Sequence, residues 1–359
     1  MALMCEKLRA RGHEVVPVCH SDSPIEKRLR ANGFEPIQLD LKSYFHPFKI
    51  FKLARYIHKL NVDLIHADYS RDLWTIVPAM RLSKKMPLIL LKHIGTQKPK
   101  KDFLHTWIYS HVDYIIAISN VIKKNIIETH PVPAEKVGVL YHGVDFKRFR
   151  YSEKTRQKVR AEFGLQDDEI LIGIIGRLQF SKGYPEFLEM AKRIMVDFPK
   201  SRFMIVGEAT RGENKEADLI ISQIEQMKQP EKIIVTGFRD DIPELLAAMD
   251  LFVFPSYAEA FGLVLIEAMS MHLPVVSSNC DGVLDIVIHN ETGLLVPPKN
   301  SGALTDAVAL LMSDEKKRRE MGAAGFRRVS QKFNESSMFD ELETLYSDLV
   351  HSVISEANY

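Results

Sequence analysis

At 359 residues the chain is longer than a single hydrophobic core usually serves, about 250–300 residues, so two domains are expected. A content of 46% hydrophobic and 26% charged residues, with 17 Pro and 18 Gly scattered along the chain, excludes the disordered, collagen-like and low-complexity classes. The net charge of +1 hides a division: residues 1–150 hold 25 Lys and Arg against 14 Asp and Glu, while residues 151–359 hold 23 against 33.

The first half alternates short apolar runs with amphipathic segments. HEVVPVC, EPIQL, DLIHA, LILLKHI, YIIAIS and VGVLY read as strands, and PIEKRLRANG, PFKIFKLARYIHKL and VIKKNIIETH as helices between them. Such alternation implies a parallel sheet covered by helices. YHGVDFKRFR then loses periodicity, and EKTRQKVRAEFGLQDDE supplies a charged connecting helix, which places a domain boundary near residue 150. The second half repeats the scheme, with ILIGIIG, RFMIVG, KIIVTG, LFVFPS, LPVVSS and GLLV as strands and YPEFLEMAKRIMVDFP, ADLIISQIEQM, IPELLAAMD, FGLVLIEAMSM and GALTDAVALLM as helices. The chain closes on SSMFDELETLYSDLVHSVI, an amphipathic helix expected to pack back on the first domain. The expected layout is therefore a first Rossmann-like domain over 1–150, joined by the helix from about 336 to 359, and a second over 151–335. No run approaches the roughly 20 apolar residues of a membrane helix, and MALMCEKLRARGHEV has no signal-peptide pattern, so a cytoplasmic location is expected. Cys5, Cys19 and Cys280 have no metal-ligand spacing and read as reduced thiols.

In open α/β sheets ligands lie beyond the carboxyl ends of strands, so the residues just after each strand bear the chemistry. After ILIGII comes Gly176-Arg177-Leu178-Gln179-Phe180-Ser181-Lys182-Gly183, two cations between glycines before a helix start, a pattern suited to a diphosphate or to a solvated loop. After LFVFPS, Glu259 lies in a loop and Glu267 eight residues later inside an otherwise apolar helical segment. A carboxylate there needs donors, which ribose hydroxyls, backbone amides or an arginine can supply.

PSYAEAFGLVLIEAMSMHLPVVSSNCDGVLDIVIHNETGLLVPP resembles the donor segment of retaining nucleotide-sugar glycosyltransferases of the two-Rossmann GT-B fold, the glycosyl transferases group 1 or family four. GRLQFSKG is similar to that family's Gly-Arg-Leu…Lys-Gly loop, IVTGFRDDIPELLAAMDLFVFPS to its base loop and following helix, and YHGVDFKRF to its linker, with His142 in place of Asn. The resemblance implies that Arg177 and Lys182 neutralise the leaving diphosphate and that Glu259 holds donor-sugar hydroxyls. It implies that Gly176 and the backbone of Phe261, Gly262 and Leu263 approach phosphates and sugar, that Glu267 takes the ribose, and that Gly237, Phe238 and Arg239 border the base. LILLKHIGT matches the family's strand ending in Thr-x-His-Gly, which puts His93 beside the reacting sugar. The family works without a metal or further cofactor, the nucleotide sugar being a co-substrate, and no Asp-x-Asp occurs here.

Three departures stand out. Ala260 replaces a common Gly, Asp281-Gly282-Val283-Leu284-Asp285 replaces Gly-Gly-x-x-Glu, and Met1 already lies inside the helix that in the family follows the first strand and its loop. The first sheet is thus expected to lack its first strand and to hold an apolar slot, and a start about 15–20 residues upstream is expected to be more soluble and active. The expected function is sugar transfer to a glycan, lipid-linked or small-molecule acceptor, in cell-envelope or surface glycan synthesis. The basic half, through Lys49–Arg55 and Lys98–Lys101, offers a peripheral membrane contact, and nucleic acid is not expected as a partner. The alternatives are a nucleotide-binding scaffold without catalysis and a nucleotide-sugar epimerase.

Overall fold

The computed structural model describes residues 1–41, 46–210 and 212–357. The chain divides into two compact units, Met1–Leu140 with Phe339–Tyr359, and Tyr141–Met338. Every strand pairing within their sheets is parallel.

In the first unit the strands are β1 (Val18–Cys19), β2 (Ile37–Gln38), β3 (Ile65–Ala67), β4 (Leu88–Lys92), β5 (Tyr114–Ala117) and β6 (Val137–Val139). They form two separate sheets, β1-β2 and β3-β4-β5-β6. β1 and β2 thus pair with each other and with no other described strand, and the runs HEVVPVC and EPIQL keep only two paired residues each. β4 is wholly buried and central, because LILL is apolar on both faces. The helix Pro47–Lys59 buries Ile50, Leu53, Ala54 and Ile57, the spacing of one helical face, while Phe48 and Phe51 on the opposite face stay 87% and 63% exposed. The last helix runs Glu335–Ala357, and 358–359 lie outside the described residues. Within the first unit its Glu343 accepts from Arg11 Nε at 2.9 Å and meets His13 Nε2 at 2.9 Å, and Tyr346 OH bonds His66 Nδ1.

In the second unit β7 (Ile170–Ile175), β8 (Ser201–Val206), β9 (Ile233–Val235), β10 (Leu251–Phe254), β11 (Val275–Ser278) and β12 (Leu294–Val296) form one continuous sheet ordered β12-β11-β10-β7-β8-β9. The order reverses between β7 and β10, the place where doubly wound sheets open a crevice. The helix Tyr184–Asp197 buries Tyr184, Phe187, Leu188, Ala191 and Ile194, and each large side chain so buried stabilises by roughly 1.5–3 kcal/mol. Asp250, just ahead of β10, binds Arg156 at 2.6 Å, Arg160 at 3.3 Å and the Leu171 N–H of β7 at 2.8 Å. That node fixes β7 and β10 against the helix Glu153–Glu162. Residues 141–150 also pack here: Tyr141 stacks on Phe261, and Val144 bridges Asn334.

Candidate functional site

The two strands at the reversal deliver the two loops singled out from the sequence. Gly176 leaves β7 and Arg177 follows it, exposed, donating weakly to Thr210 Oγ1 at 3.4 Å. A short 3-10 turn, Phe180–Lys182, ends at Gly183, whose φ of +77° is left-handed. A Cβ at Gly183 would lie 2.1 Å from Pro255 O, so glycine is needed for conformation and for close approach to the β10 loop. The loops are joined again by the Tyr257 N–H donating to Ser181 O at 2.9 Å.

Lys182 and Glu259 meet across this junction, with Nζ 2.6 Å from Oε2. Glu259 is held further by its N–H donating to Asp281 Oδ2 at 3.3 Å and by its carbonyl accepting from Gly282 N–H at 2.9 Å. The departures therefore fit locally. Ala260 does not have positive φ, so its methyl is tolerated, whereas a Cβ at Gly282 would lie 2.3 Å from Ala260 O. Phe261 is buried against Tyr141, His142 and Phe333.

Gly262, at φ +103°, opens the helix Leu263–Ser270 with no side-chain cap, and Leu263 is 46% exposed. An uncapped helix start presents amides and a positive partial charge to an anion. Glu267 lies about one turn further. Its carboxylate forms no hydrogen bond or ion pair with any described residue, and burial pushes it up to about 7, with Arg148 opposing the shift. Arg148 also lines a cavity of about 450 Å³ with Phe238, Arg239, Asp240, Asp241, Pro243 and Glu244. Gly237, at φ +69°, turns the chain so that Phe238 stands 67% exposed at this cavity, a flat apolar ring available for stacking.

Arg239 is less free than its sequence position suggests, since its guanidinium binds Asp241 at 2.7 and 2.5 Å and Glu162 at 2.8 Å. It shapes the cavity wall as part of an ion network. Arg148 was not singled out from the sequence, and the only signal for it is its place in the basic run KRFR after the linker motif. His93 belongs to the first unit, just beyond β4, with Nε2 3.6 Å from Asp68 Oδ1. Gly176, Arg177, Lys182, Gly237, Phe238, Arg239, Glu259, Phe261, Gly262, Leu263 and Glu267 all belong to the second unit.

Family models account for most of the chain: Glycosyltransferase Family 4 matches residues 1–148, and Glycosyl transferases group 1 matches residues 155–328. The capsular polysaccharide biosynthesis glycosyltransferase CapM of Staphylococcus aureus is 30% identical over 240 residues, which are 65% of this chain and 61% of CapM, so the match spans less than two thirds of that relative. The N-acetyl-alpha-D-glucosaminyl L-malate synthase of Bacillus anthracis is 22% identical over 96% of this chain and 92% of its own. Among solved structures, Anabaena HepE in complex with UDP and glucose superposes with a TM-score of 0.82 at 23% identity, over 97% of this chain and 96% of HepE. That likeness establishes the fold.

Proposed function

We propose, from the premise that this chain belongs to the glycosyl transferases group 1 family with the GT-B fold, that it moves a sugar from a nucleoside-diphosphate sugar to an acceptor hydroxyl with retention of configuration. The observation that carries the reading is Glu267, a desolvated carboxylate with no protein partner among the described residues, one turn into a helix with an uncapped start and near the charge of Arg148, which lines the cavity faced by Phe238. Vicinal ribose hydroxyls are the donors such a carboxylate lacks.

In this reading the base stacks on Phe238 beside Gly237 and Arg239, and the diphosphate lies over Gly176, with Arg177, Lys182 and the amides of Phe261, Gly262 and Leu263 around it. Donor entry divides the Lys182–Glu259 pair, the ammonium turning to the phosphate and the carboxylate to sugar hydroxyls. Because the two side chains are only about one-fifth exposed, that exchange swaps one satisfied state for another rather than stranding a charge. As the bond from sugar C1 to the diphosphate oxygen breaks, negative charge grows where the two cations stand, and they stabilise it without a metal. The acceptor hydroxyl forms its bond to C1 on the same face and gives its proton to the departing phosphate.

The first unit is read as the acceptor side, in envelope or surface glycan synthesis at the cytoplasmic membrane face. What supports membrane contact is the outward face of Pro47–Lys59, where Phe48, Phe51, Lys52 and Arg55 lie together, exposed, at helical spacing. No helix among the described residues is long and apolar enough to cross a membrane.

The test is thermal shift of the full chain against UDP, GDP and ADP and their sugar conjugates, followed by donor hydrolysis and transfer. One nucleotide class should stabilise the protein, and Glu267→Ala and Arg177→Ala should each abolish most of that shift. Equal shifts in wild type and both variants would sink the site. Saturable nucleotide binding without turnover would leave only the scaffold. Flotation with anionic vesicles, lost in a Phe48→Asp, Phe51→Asp double variant, tests the membrane contact.

A further inference from the structure

The first unit holds a buried polar group that donor chemistry leaves unused. Lys92 ends β4, is 8% exposed, and donates to Ser70 Oγ at 3.0 Å, with no salt-bridge partner among the described residues. Tyr109, closing the helix Phe103–Tyr109, and His130, following the helix Asn120–Thr129, are both 2% exposed and meet edge to face with centroids 5.0 Å apart. Among the described residues, His130 Nε2 has no hydrogen-bond partner, and the Tyr109 hydroxyl has only the Ser70 side chain beside it. Lys100 is tied to the same place by its backbone N–H, which donates to Thr129 O at 2.7 Å, and its ammonium also pairs with no described carboxylate.

The charges here share one sign. Burial, and then the neighbouring charge of Lys100, lower Lys92 to about 8. Burial takes His130 to about 3, with Lys92 and Lys100 the next causes and His105 a smaller one. The nearby carboxylate of Asp102 is already bound by His105. Thr129 Oγ1 donates to Asn125 O, so His130 Nδ1–H donates to Thr129 Oγ1 and Nε2 carries a lone pair until it is protonated. Buried cations and orphaned polar ends without a counter-charge are costly unless a ligand completes them.

We propose that this cluster at the carboxyl end of β4 binds a small oxyanion, a carboxylate or a phosphate, with Lys92 and Lys100 supplying charge and Ser70 and Tyr109 supplying hydroxyl donors. Ser70 accepts from Lys92 and lies beside the Tyr109 hydroxyl, and the anion takes the hydroxyl protons that this pair otherwise shares. That the anion is part of the acceptor rests on the transferase reading, whereas its binding here does not.

The experiment is calorimetric titration of the full chain with inorganic phosphate and, separately, succinate, in an Arg177→Ala, Lys182→Ala background that removes the donor-loop cations. Saturable binding of at least one anion is expected, the stronger of the two identifying the chemistry. Its affinity should rise at least about tenfold from pH 9.5 to pH 6.5 as Lys92 gains its proton. Lys92→Met should abolish it, Lys92→Arg should keep part of it, and Tyr109→Phe should weaken it about threefold. Tyr109→Phe is nearly isosteric, so it carries the test if Lys92→Met misfolds. Affinity unchanged in both Lys92→Met and Tyr109→Phe overturns the proposal, as does the absence of saturable heat up to about 20 mM of either anion. Wild-type UDP binding with no anion binding would remove this site and leave the transferase reading standing, and the reverse result would do the opposite.

Discussion

The two units handle their charges differently. In the second unit most cations at the site and its supports are matched to carboxylates, Lys182 to Glu259, Arg239 to Asp241 and Glu162, Arg156 and Arg160 to Asp250, while Arg177 meets only Thr210 among the described residues. In the first, basic unit lie four of the buried side-chain atoms that lack partners among the described residues: His66 Nε2, Asp68 Oδ2, Ser83 Oγ and His130 Nε2. The second unit has one unbroken six-stranded sheet, and the first has two pieces. A continuous sheet sets both strand ends and loops against neighbours, so carboxylates can be placed opposite cations. The first unit, residues 1–140 with 339–359, holds 22 Lys and Arg against 18 Asp and Glu, so its surplus of cations is small and does not by itself account for the unpartnered atoms.

The sharpest way to break this contrast is inside the second unit. Gly183→Ala forces a methyl into Pro255 O at a left-handed φ, and should cost about 3 kcal/mol or more in denaturant unfolding and remove nucleotide binding with it. Asp250→Ala removes the carboxylate from two arginines, one of them 4% exposed, that then keep only backbone carbonyls, and should cost roughly 2–4 kcal/mol by the same measurement. A loss below 1 kcal/mol for either would mean the matched network is decoration.

Glu267 tests the exception to matching in that unit. Its folded pKa of about 7 stands above the ordinary value of 4.5, so its contribution to stability is fully present below about 4.5 and is lost as pH rises through 7. Glu267→Gln should therefore raise the stability of the ligand-free protein at pH 8 by roughly 2 kcal/mol and leave it unchanged near pH 4, read from thermal unfolding across pH. The smallest effect is expected at Glu343 in the first unit. Arg11 and then His13 hold it down to about 2, so its contribution is present above about 4.5 and is lost as pH falls towards 2. The two side chains keep 28% and 26% of their surface in solvent, which screens the pair, and Glu343→Gln should move the unfolding temperature at pH 7 less than any of the changes above. A loss there equal to that of Asp250→Ala would erase the contrast.

Much of this was legible in the sequence where apolar runs are long. ILIGIIG, RFMIVG and LFVFPS match β7, β8 and β10 to within about two residues at their ends, because strands buried on both faces read as unbroken apolar runs. HEVVPVC and EPIQL shrank to two residues each, since pairing needs a neighbour that composition does not reveal. Glu267 was visible as a carboxylate in an apolar helix. The engagement of Arg239 was not, because its partners are two and 77 positions away and only the fold brings Glu162 near. Arg148 was hidden among other basic residues, and the Lys92, Tyr109 and His130 group joins three elements whose residues look ordinary one at a time.

The contact between Gly183 and Pro255 has one more consequence. The loop after β7 and the loop after β10 press on each other backbone to backbone, with the Tyr257 N–H bound to Ser181 O as a second tie. Neither can change its path alone. A chimera that imports a relative's loop at one strand will meet the resident loop at the other and misfit, so altering donor choice by grafting requires exchanging the two segments together, as a single inherited module.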